Sequence, residues 1–220
     1  PKARRLDLLT YEEMLEMSGL GSKVLQLRSV EFASKYNVPI RVLHAHKNQA
    51  LGTLITKEEK KMEGALISGI AFTKDEAEIM IKGVKDQPGV AAKILGPIGA
   101  AKIEIDMIVQ NVGSNGLADF TFTVSRNTLK NAIKVIEKNK KIMGYDSFDT
   151  KNNIVKVSLI GVGMRSHAGI ASKMFKCLAR NKVNIRMIST SEIKISVVID
   201  QKNLEIAVQA LHNEFKLDKK

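Results

Sequence analysis

The stretch KDQPGVAAKIL, residues 85–95, places an Asp, a Pro and a Gly between an apolar strand and an apolar helix. Its segment GVAAKIL, residues 89–95, is repeated in pattern by GIASKMF, residues 169–175. KIEIDMI, residues 102–108, is repeated by KVNIRMI, residues 182–188. Because both pairs keep the same separation along the chain, the sequence contains two copies of one structural unit.

In the first copy, hydrophobic periodicity predicts the order strand, helix, strand, strand, helix, strand. The predicted elements cover residues 78–83, 89–99, 102–111 and 117–124, a helix capped by Asn127 or Thr128, and a weaker strand at residues 144–150. A turn is predicted at residues 113–116. This βαββαβ order is the split βαβ arrangement of ferredoxin-like folds.

The second copy repeats this order but ends before its fourth strand. Its predicted elements cover residues 154–160, 169–181, 183–190, 193–200 and 203–215. Too few residues follow Leu217 for another strand, so the sheet would keep an open edge. The apolar stretch at residues 66–73 precedes the first copy and belongs to neither pattern. We expect it to cross over and complete the second sheet, so that the first unit is inserted in the second.

The composition is that of an ordinary globular chain. Of 220 residues, 44% are hydrophobic and 26% are charged, and no apolar run approaches the ~20 residues that span a bilayer. We therefore expect a cytoplasmic protein with no membrane partner. The single cysteine, Cys177, excludes an internal disulfide, and its apolar neighbours predict a buried side chain without reactivity.

The formal net charge of +12 raises the question of nucleic-acid binding. The charges are dispersed, however, and the sequence contains no tryptophan, three tyrosines and seven phenylalanines. Single-strand recognition combines basic residues with exposed aromatic rings. We therefore expect no nucleic-acid partner, although a stand-alone interaction or nucleic-acid-binding module with a functional basic surface stays open as the alternative.

The N-terminal residues predict a small helical segment. Thr10 followed by Glu13 forms a capping box, and Gly19 and Gly21 end the helix that it begins. A second helix follows before Pro39, with an apolar face of Val24, Leu27, Val30 and Phe32, and then a strand at residues 40–43. Two helices and one strand cannot form a core alone, so this segment either packs on the repeats or belongs to a larger sheet.

Several stretches resemble ACT domains, and their tandem order resembles the C-terminal part of aspartate kinases. They are KDQPGVAAKI, IDMIVQN, KVSLIGVGMRSHAGIA, NIRMISTSEIKISVVI and ALHNEF. The segment from RRLDLLTYEEMLEM to GTLI is similar to the last helices and strand of that family's amino-acid kinase domain. The resemblance implies an α+β fold in three parts. These are a kinase-domain remnant at 1–58, a first ACT domain at 76–152, and a second ACT domain formed by 64–75 plus 153–220.

The resemblance also implies a function. Aspartate kinases phosphorylate the side-chain carboxylate of aspartate with ATP and Mg²⁺, at the head of lysine, threonine and methionine synthesis. This chain lacks the family's Lys-Phe-Gly-Gly signature, so we expect no kinase activity, cofactor, metal site or catalytic residue in it. The expected partners are lysine, threonine or both as feedback inhibitors, the kinase domain, and a second copy through ACT pairing.

The corner at residues 85–90 suits an amino acid chemically. The start of a helix offers unpaired N–H groups and a partial positive charge, which favour a carboxylate. Gly89 permits close backbone approach, Pro88 suits a helix start, and Asp86 can accept from an ammonium group. The simpler interpretation is that Asp86 only caps the helix.

By resemblance, two pseudo-symmetric effector sites lie between the ACT units. The first comprises Asp86, Gln87, Gly89, Val90, Ala91, Gln110 and Asn111, facing Asn184 and Ile185. The second comprises Met164, Ser166, His167, Gly169, Ile170 and Ala171, facing Glu104 and Ile105. The second is the less complete, because Ser166 stands where the first has Asp86.

Three other patterns have simpler interpretations. Ser166 and His167 are adjacent in sequence and have no third member of a catalytic triad. His44 and His46 alternate onto one strand face but lack further metal ligands at suitable spacing. Residues 189–192 are most simply a tight polar turn.

Overall fold

A computed structural model describes residues 4–46, 51–57 and 66–218. It divides into two compact units: Pro1–Thr73 with Lys156–Lys220, called here the discontinuous unit, and Lys74–Val155, the inserted unit. Residues 1–3, 47–50 and 58 of the predicted remnant, and residues 64, 65, 219 and 220 of the predicted second ACT domain, lie outside the described residues. The three-part division of the chain stays a prediction.

The inserted unit has the predicted βαββαβ order. It uses the end of β4 (Gly69–Lys85), α3 (Val90–Ala100), β5 (Ile105–Val112), β6 (Leu117–Val124), α4 (Arg126–Lys138), a short α5 (Lys140–Met143) and the start of β7 (Ser147–Ile160). The strand order is β5-β6-β4-β7, with antiparallel β4–β6 and β5–β6 pairs. The helices cover one face of the sheet, where Ile79, Ile94, Phe120, Phe122 and Ile136 are fully buried.

The discontinuous unit repeats this architecture. After β7 come α6 (Ile170–Arg180), β8 (Ile185–Thr190), β9 (Lys194–Asp200) and α7 (Leu204–Glu214). The strand order is β4-β7-β9-β8. Ser68 N donates to Ile160 O over 2.8 Å, so the stretch at residues 66–73 does complete this sheet. The predicted insertion of one ferredoxin-like unit within the sequence of the other is confirmed.

The N-terminal segment forms a small layer of its own in the discontinuous unit. It contains β1 (Leu8–Thr10), α1 (Tyr11–Gly19), α2 (Leu27–Lys35), β2 (Ile40–Val42) and β3 (Thr53–Thr56). Strand β3 lies between β1, to which it is parallel, and β2, to which it is antiparallel. A core of Leu9, Tyr11, Met14, Val30, Ala33 and Ile55 fills the space between helices and sheet.

The capping box is confirmed, but the predicted apolar face of the second helix is wrong in part. Thr10 Oγ1 accepts from Glu13 N at 3.1 Å, and the Glu13 carboxylate accepts from Thr10 N at 3.0 Å. Val24 precedes the helix and is 58% exposed, while Phe32 is 59% exposed and stacks on Tyr36. Only Val30 of the predicted face is fully buried.

Several strand boundaries were predicted wrongly. The two strands predicted at residues 66–73 and 78–83 fall largely in one strand, Gly69–Lys85. Residues 144–150 and 154–160 likewise fall largely in the single strand β7. Strand β5 begins at Ile105, not at residue 102, because Lys102 has a φ of 56° and closes the end of α3. Lys182 has the same φ, so β8 begins at Ile185, not at residue 183.

The cap of α4 also differs from the prediction. Ser125, not Asn127 or Thr128, is its N-cap and accepts from Asn127 N at 3.3 Å. Asp75 accepts from the Ser125 hydroxyl and from Arg126 N.

The described helices were also compared with the dimensions of a bilayer. None of them combines the length and the apolar character that a membrane span requires.

Candidate functional sites at two helix starts

The first corner connects β4 to α3 in the inserted unit. Asp86 N donates to Gly116 O over 2.9 Å, which fixes the corner against the turn between β5 and β6. Val90 N donates to Gln87 O over 3.1 Å and closes the turn. Gly89 has a φ of 88°, a conformation that favours glycine. An added Cβ there would meet no atom within 4 Å, so the corner opens to free space.

Asp86 does not cap α3. The N-cap is Gly89, which has no side-chain hydrogen bond. The Asp86 side chain is exposed and has no hydrogen-bond or ion-pair partner among the described residues. The amides of Ala91 and Ala92 likewise find no acceptor in the described part of the chain. The simpler interpretation of Asp86 is therefore wrong, and residues 86–92 contain both an unpaired carboxylate and unpaired N–H groups.

Gln110 and Asn111 lie near the same end of this sheet, on β5. Gln110 pairs in register with Phe120 and Asn111 with Asp119, and β5 is separated from β4 by β6. Successive strand residues point to opposite faces, so these two side chains cannot line the same face of the sheet. Gln110 shares the face of Phe120, which is the helix-covered one.

The second corner connects β7 to α6 in the discontinuous unit. Residues Val162–Ser166 form a 3₁₀ turn, and Gly169, with a φ of 90°, is the uncapped N-cap of α6. Ser166 and His167 are exposed, and His167 Nδ1 lies 2.9 Å from Gly163 O and 3.0 Å from Ser166 Oγ. These contacts brace the loop, and no carboxylate completes a triad with them among the described residues.

Sequence reasoning missed the charged groups around this second corner. Arg165 pairs with Glu12 of α1 and, at 3.3 Å, with Glu192 in the turn before β9. Val162 N donates to the buried carboxylate of Glu13 at 3.1 Å. Only the Thr10–Glu13 cap had a local signal, because the other partners are far apart in sequence. The predicted turn at residues 189–192 is wrong in part, because Ser189 and Thr190 are the last residues of β8. The turn follows at residues 191–193, where Ser191 N donates to Lys194 O.

The remaining predicted site residues lie at strand starts, away from the corner of their own unit. Ile105 pairs with Val124 at the end of β6, whereas the first corner lies at the start of β6. Ile185 pairs with Ile199 near the end of β9, whereas the second corner adjoins the residue before β9. Glu104 and Asn184 are exposed just before these positions. The predicted facing of corners and strand starts across units stays a prediction.

Two further candidates are structural in character. Burial raises the pKa of the Cys177 thiol, which packs in the core face of α6. His44 and His46 lie beyond the end of β2, not on a strand as predicted, and His44 Nδ1 accepts from His46 N at 3.1 Å. No group of three or more metal-ligating side chains occurs among the described residues.

Both units match known protein families. Models described as "ACT domain" match residues 78–140 and 157–215. The chain is similar to an aspartokinase of Pseudomonas aeruginosa, with 60% identity over 99% of this chain and 53% of that protein. The chain thus spans about half the length of the curated relatives that it matches.

Two solved structures match at nearly full length of their own chains. One is from the crystal structure of aspartokinase alpha and beta subunits, with 47% identity, a TM-score of 0.65 and coverage of 68% of this chain and 99% of that one. The other is the ligand-free regulatory subunit of aspartate kinase from Thermus thermophilus, with 35% identity, a TM-score of 0.64 and the same coverages.

Proposed function

Because this chain belongs to the aspartokinase family, as a regulatory part with two ACT domains, we propose that its helix-start corners bind a free amino acid. Occupancy would control phosphoryl transfer to aspartate by the longer protein. The observation that carries this proposal is the first corner, where an unpaired Asp86 carboxylate and unpaired amides of α3 occur within residues 86–92.

The corner matches both ends of a zwitterion. The ligand's ammonium group would donate to Asp86, and its carboxylate would accept from the amides of Ala91 and Ala92, where the helix dipole adds a favourable field. Gly89 keeps the approach open because it has no side chain. We propose lysine, threonine or both as the ligand, in agreement with a feedback role in the synthesis of those amino acids.

The second corner is proposed as the weaker site. Gly169 and α6 reproduce the open helix start, but Ser166 takes the place of the carboxylate.

The edge strands β5 and β8 are proposed as the surface through which two copies of the chain associate. Each lies at one end of a strand order, and we propose that ACT units of two copies pair there to give at least a dimer.

The N-terminal segment is proposed to be the remnant of an amino-acid kinase domain. Its parallel β1–β3 pair is typical of α/β domains, in which parallel strands are common. Aspartate, ATP and Mg²⁺ would then be bound by other parts of the full-length protein. On this proposal the present chain alone is inactive as a kinase.

Isothermal titration calorimetry with lysine and threonine, singly and together, tests the proposal. We expect binding by the wild-type chain, and a loss of at least about tenfold in affinity in Asp86→Ala, because a charged hydrogen bond is removed. The fold should be retained, since the Asp86 side chain has no partner within the described chain. Glu137→Ala, at an exposed carboxylate on α4, is the matched control and should bind like wild type.

Unchanged affinity in Asp86→Ala would contradict the assigned site. Absence of amino-acid binding, together with salt-dependent binding of RNA or DNA, would favour an interaction module instead.

A further inference from the structure

Glu13 is a buried charged residue of the discontinuous unit whose carboxylate accepts four hydrogen bonds. Its side chain is 3% exposed. One carboxylate oxygen, Oε2, accepts from Thr10 N at 3.0 Å and Thr10 Oγ1 at 3.2 Å. The other, Oε1, accepts from Val162 N at 3.1 Å and from the Ser68 hydroxyl. No lysine or arginine of the described chain pairs with it.

The two oxygens therefore join separate parts of the unit. Oε2 completes the cap of α1, whereas Oε1 holds the first amide of the turn Val162–Ser166, which leads into the second corner. The residue before that turn, Gly161, is held to the neighbouring chain, because its amide donates to Ile193 O over 3.0 Å. A displacement of the turn must therefore be transmitted to Glu13 or break its bond to Val162.

Two neighbouring acids of α1 reinforce this connection. Glu12 pairs with Arg165 on the turn, and Glu16 pairs with Lys194 at 2.8 Å, at the start of β9. These pairs are partly exposed and are expected to be weak individually. The buried carboxylate is the stronger constraint, because any donor that it loses leaves charge uncompensated away from water.

We infer that Glu13 is a positioning residue that couples the second corner to helix α1, so that ligand occupancy of the corner changes the stability of α1. This inference rests on the proposed function, since it takes the second corner to be a ligand site. Coupling of this kind is reciprocal, so α1 must also influence the corner. Glu13 itself touches no ligand on this assignment.

Glu13→Gln is the informative variant. All four atoms that contact the carboxylate are donors, and the amide of glutamine offers one acceptor oxygen and an NH₂ group. The NH₂ group must face either the Thr10 amide or the Val162 amide. The N–H group that it faces loses its acceptor, whereas the Thr10 and Ser68 hydroxyls can rotate and accept from the NH₂ group. Ser68→Ala removes a single donor and leaves the cap intact. Glu31→Gln, at an exposed position on α2, is the matched control.

Hydrogen exchange measured by mass spectrometry on the whole chain is the test, with lysine and threonine as probes. Without a probe, we expect the amides beside the lost bond, at residues 162–166 or at residues 10–14, to exchange at least about fivefold faster in Glu13→Gln than in wild type or Glu31→Gln. With a probe, residues 162–170 and 11–19 should both be slowed in wild type. In Glu13→Gln only residues 162–170 should be slowed.

The outcomes separate this inference from the proposed function. A probe that leaves the exchange of residues 162–170 unchanged in wild type contradicts ligand binding at the corner. In that case the exchange rates of Glu13→Gln and wild type without a probe still test whether Glu13 connects the turn to α1. Equal exchange at both 162–166 and 10–14 in Glu13→Gln and wild type overturns the coupling, as does continued slowing of 11–19 in that variant. If Glu13→Gln fails to fold, Ser68→Ala takes its place. It removes one of the two donors to Oε1, so the amides of residues 162–166 should exchange faster than in wild type, and an unchanged rate overturns the coupling.

Discussion

Two aspartates of the inserted unit show how residues of one type are given different tasks. Asp119 accepts from Gly83 N at 3.0 Å and so satisfies an amide at a bulge in β4. Asp86, which follows Gly83 by three residues, has an exposed side chain with no partner among the described residues. Each carboxylate lies in a glycine-containing stretch of sequence, so composition alone could not assign one to structure and the other to a ligand.

Replacement of Gly83 by alanine should destabilise the inserted unit by about 2 kcal/mol. Gly83 has a φ of 70°, and an added Cβ would lie 2.1 Å from Asp146 Oδ2. The Asp146 side chain can move, but the strained backbone conformation would persist. Urea unfolding followed by circular dichroism measures the change.

Gly99→Ala is the control for the same chemical change. Gly99 lies within α3, has no positive φ, and an added Cβ there would meet nothing within 4 Å. Alanine favours helix more than glycine, so this variant should gain about 0.5–1 kcal/mol. Equal effects of the two substitutions would show that the bulge in β4 does not require glycine.

At the scale of elements, helix α6 shows what periodicity could predict. Its buried residues Ile170, Met174, Cys177 and Leu178 recur at helical spacing, and the helix was located to within a residue at each end. Local patterns also placed β6 and the capping box correctly. Apolar spacing and turn residues suffice where one face of an element is buried and the other is not.

The same reasoning failed where long strands carry polar stretches. Lys74, Asp75 and Glu76 lie inside β4, and Lys151 to Asn153 lie inside β7. These stretches interrupt the apolar alternation, and the pattern therefore predicts two shorter strands in place of one long strand. Strand pairing across the sheet keeps the backbone extended there, and no local sequence signal reports that pairing.

The buried face of α6 predicts low reactivity of the only thiol. Cys177 is 2% exposed, and burial raises its pKa, so at pH 8 the reactive thiolate is scarce and shielded. We expect Ellman's reagent to label the native chain at least about 100-fold more slowly than the urea-unfolded chain, since reaction requires opening of the unit. Native labelling within a few-fold of the unfolded rate would contradict a packed α6.

For the candidate site, the sequence predicted the corners but not their connections. The Asp-Pro-Gly pattern identified residues 86–89 because it is local. Glu13 is bonded to Ser68 and Val162, which are distant in sequence, and only the fold brings them together. Arg165 similarly lies within a glycine-rich stretch, and nothing near it in sequence names Glu12 and Glu192 as its partners.

At the scale of the molecule, the N-terminal segment is part of the folded discontinuous unit. Met17 and Leu20, at the end of α1, pack on Ala71 and Ile160 of the ACT sheet. Glu13 adds its bonds to Ser68 and Val162. The alternative that this segment packs on the repeats is therefore realised within this unit, while its origin in a larger kinase domain stays a proposal.

A chain shortened to begin at Leu66 should fold but be less stable than the whole chain. The solved regulatory subunit from Thermus thermophilus is covered at 99% of its length by 68% of this chain, so we expect an ACT pair of that size to fold. Loss of α1 would uncover apolar surface at Ala71 and Ile160, at a cost of about 1–3 kcal/mol. The released Ser68 hydroxyl and Val162 amide would gain water as a partner, so they add little to this cost.

Urea unfolding, monitored through labelling of Cys177, measures the difference in stability between the shortened and whole chains. Leu20→Ala in the whole chain should reproduce part of this difference. Identical midpoints for the shortened and whole chains would show that the N-terminal segment contributes nothing to the stability of this unit.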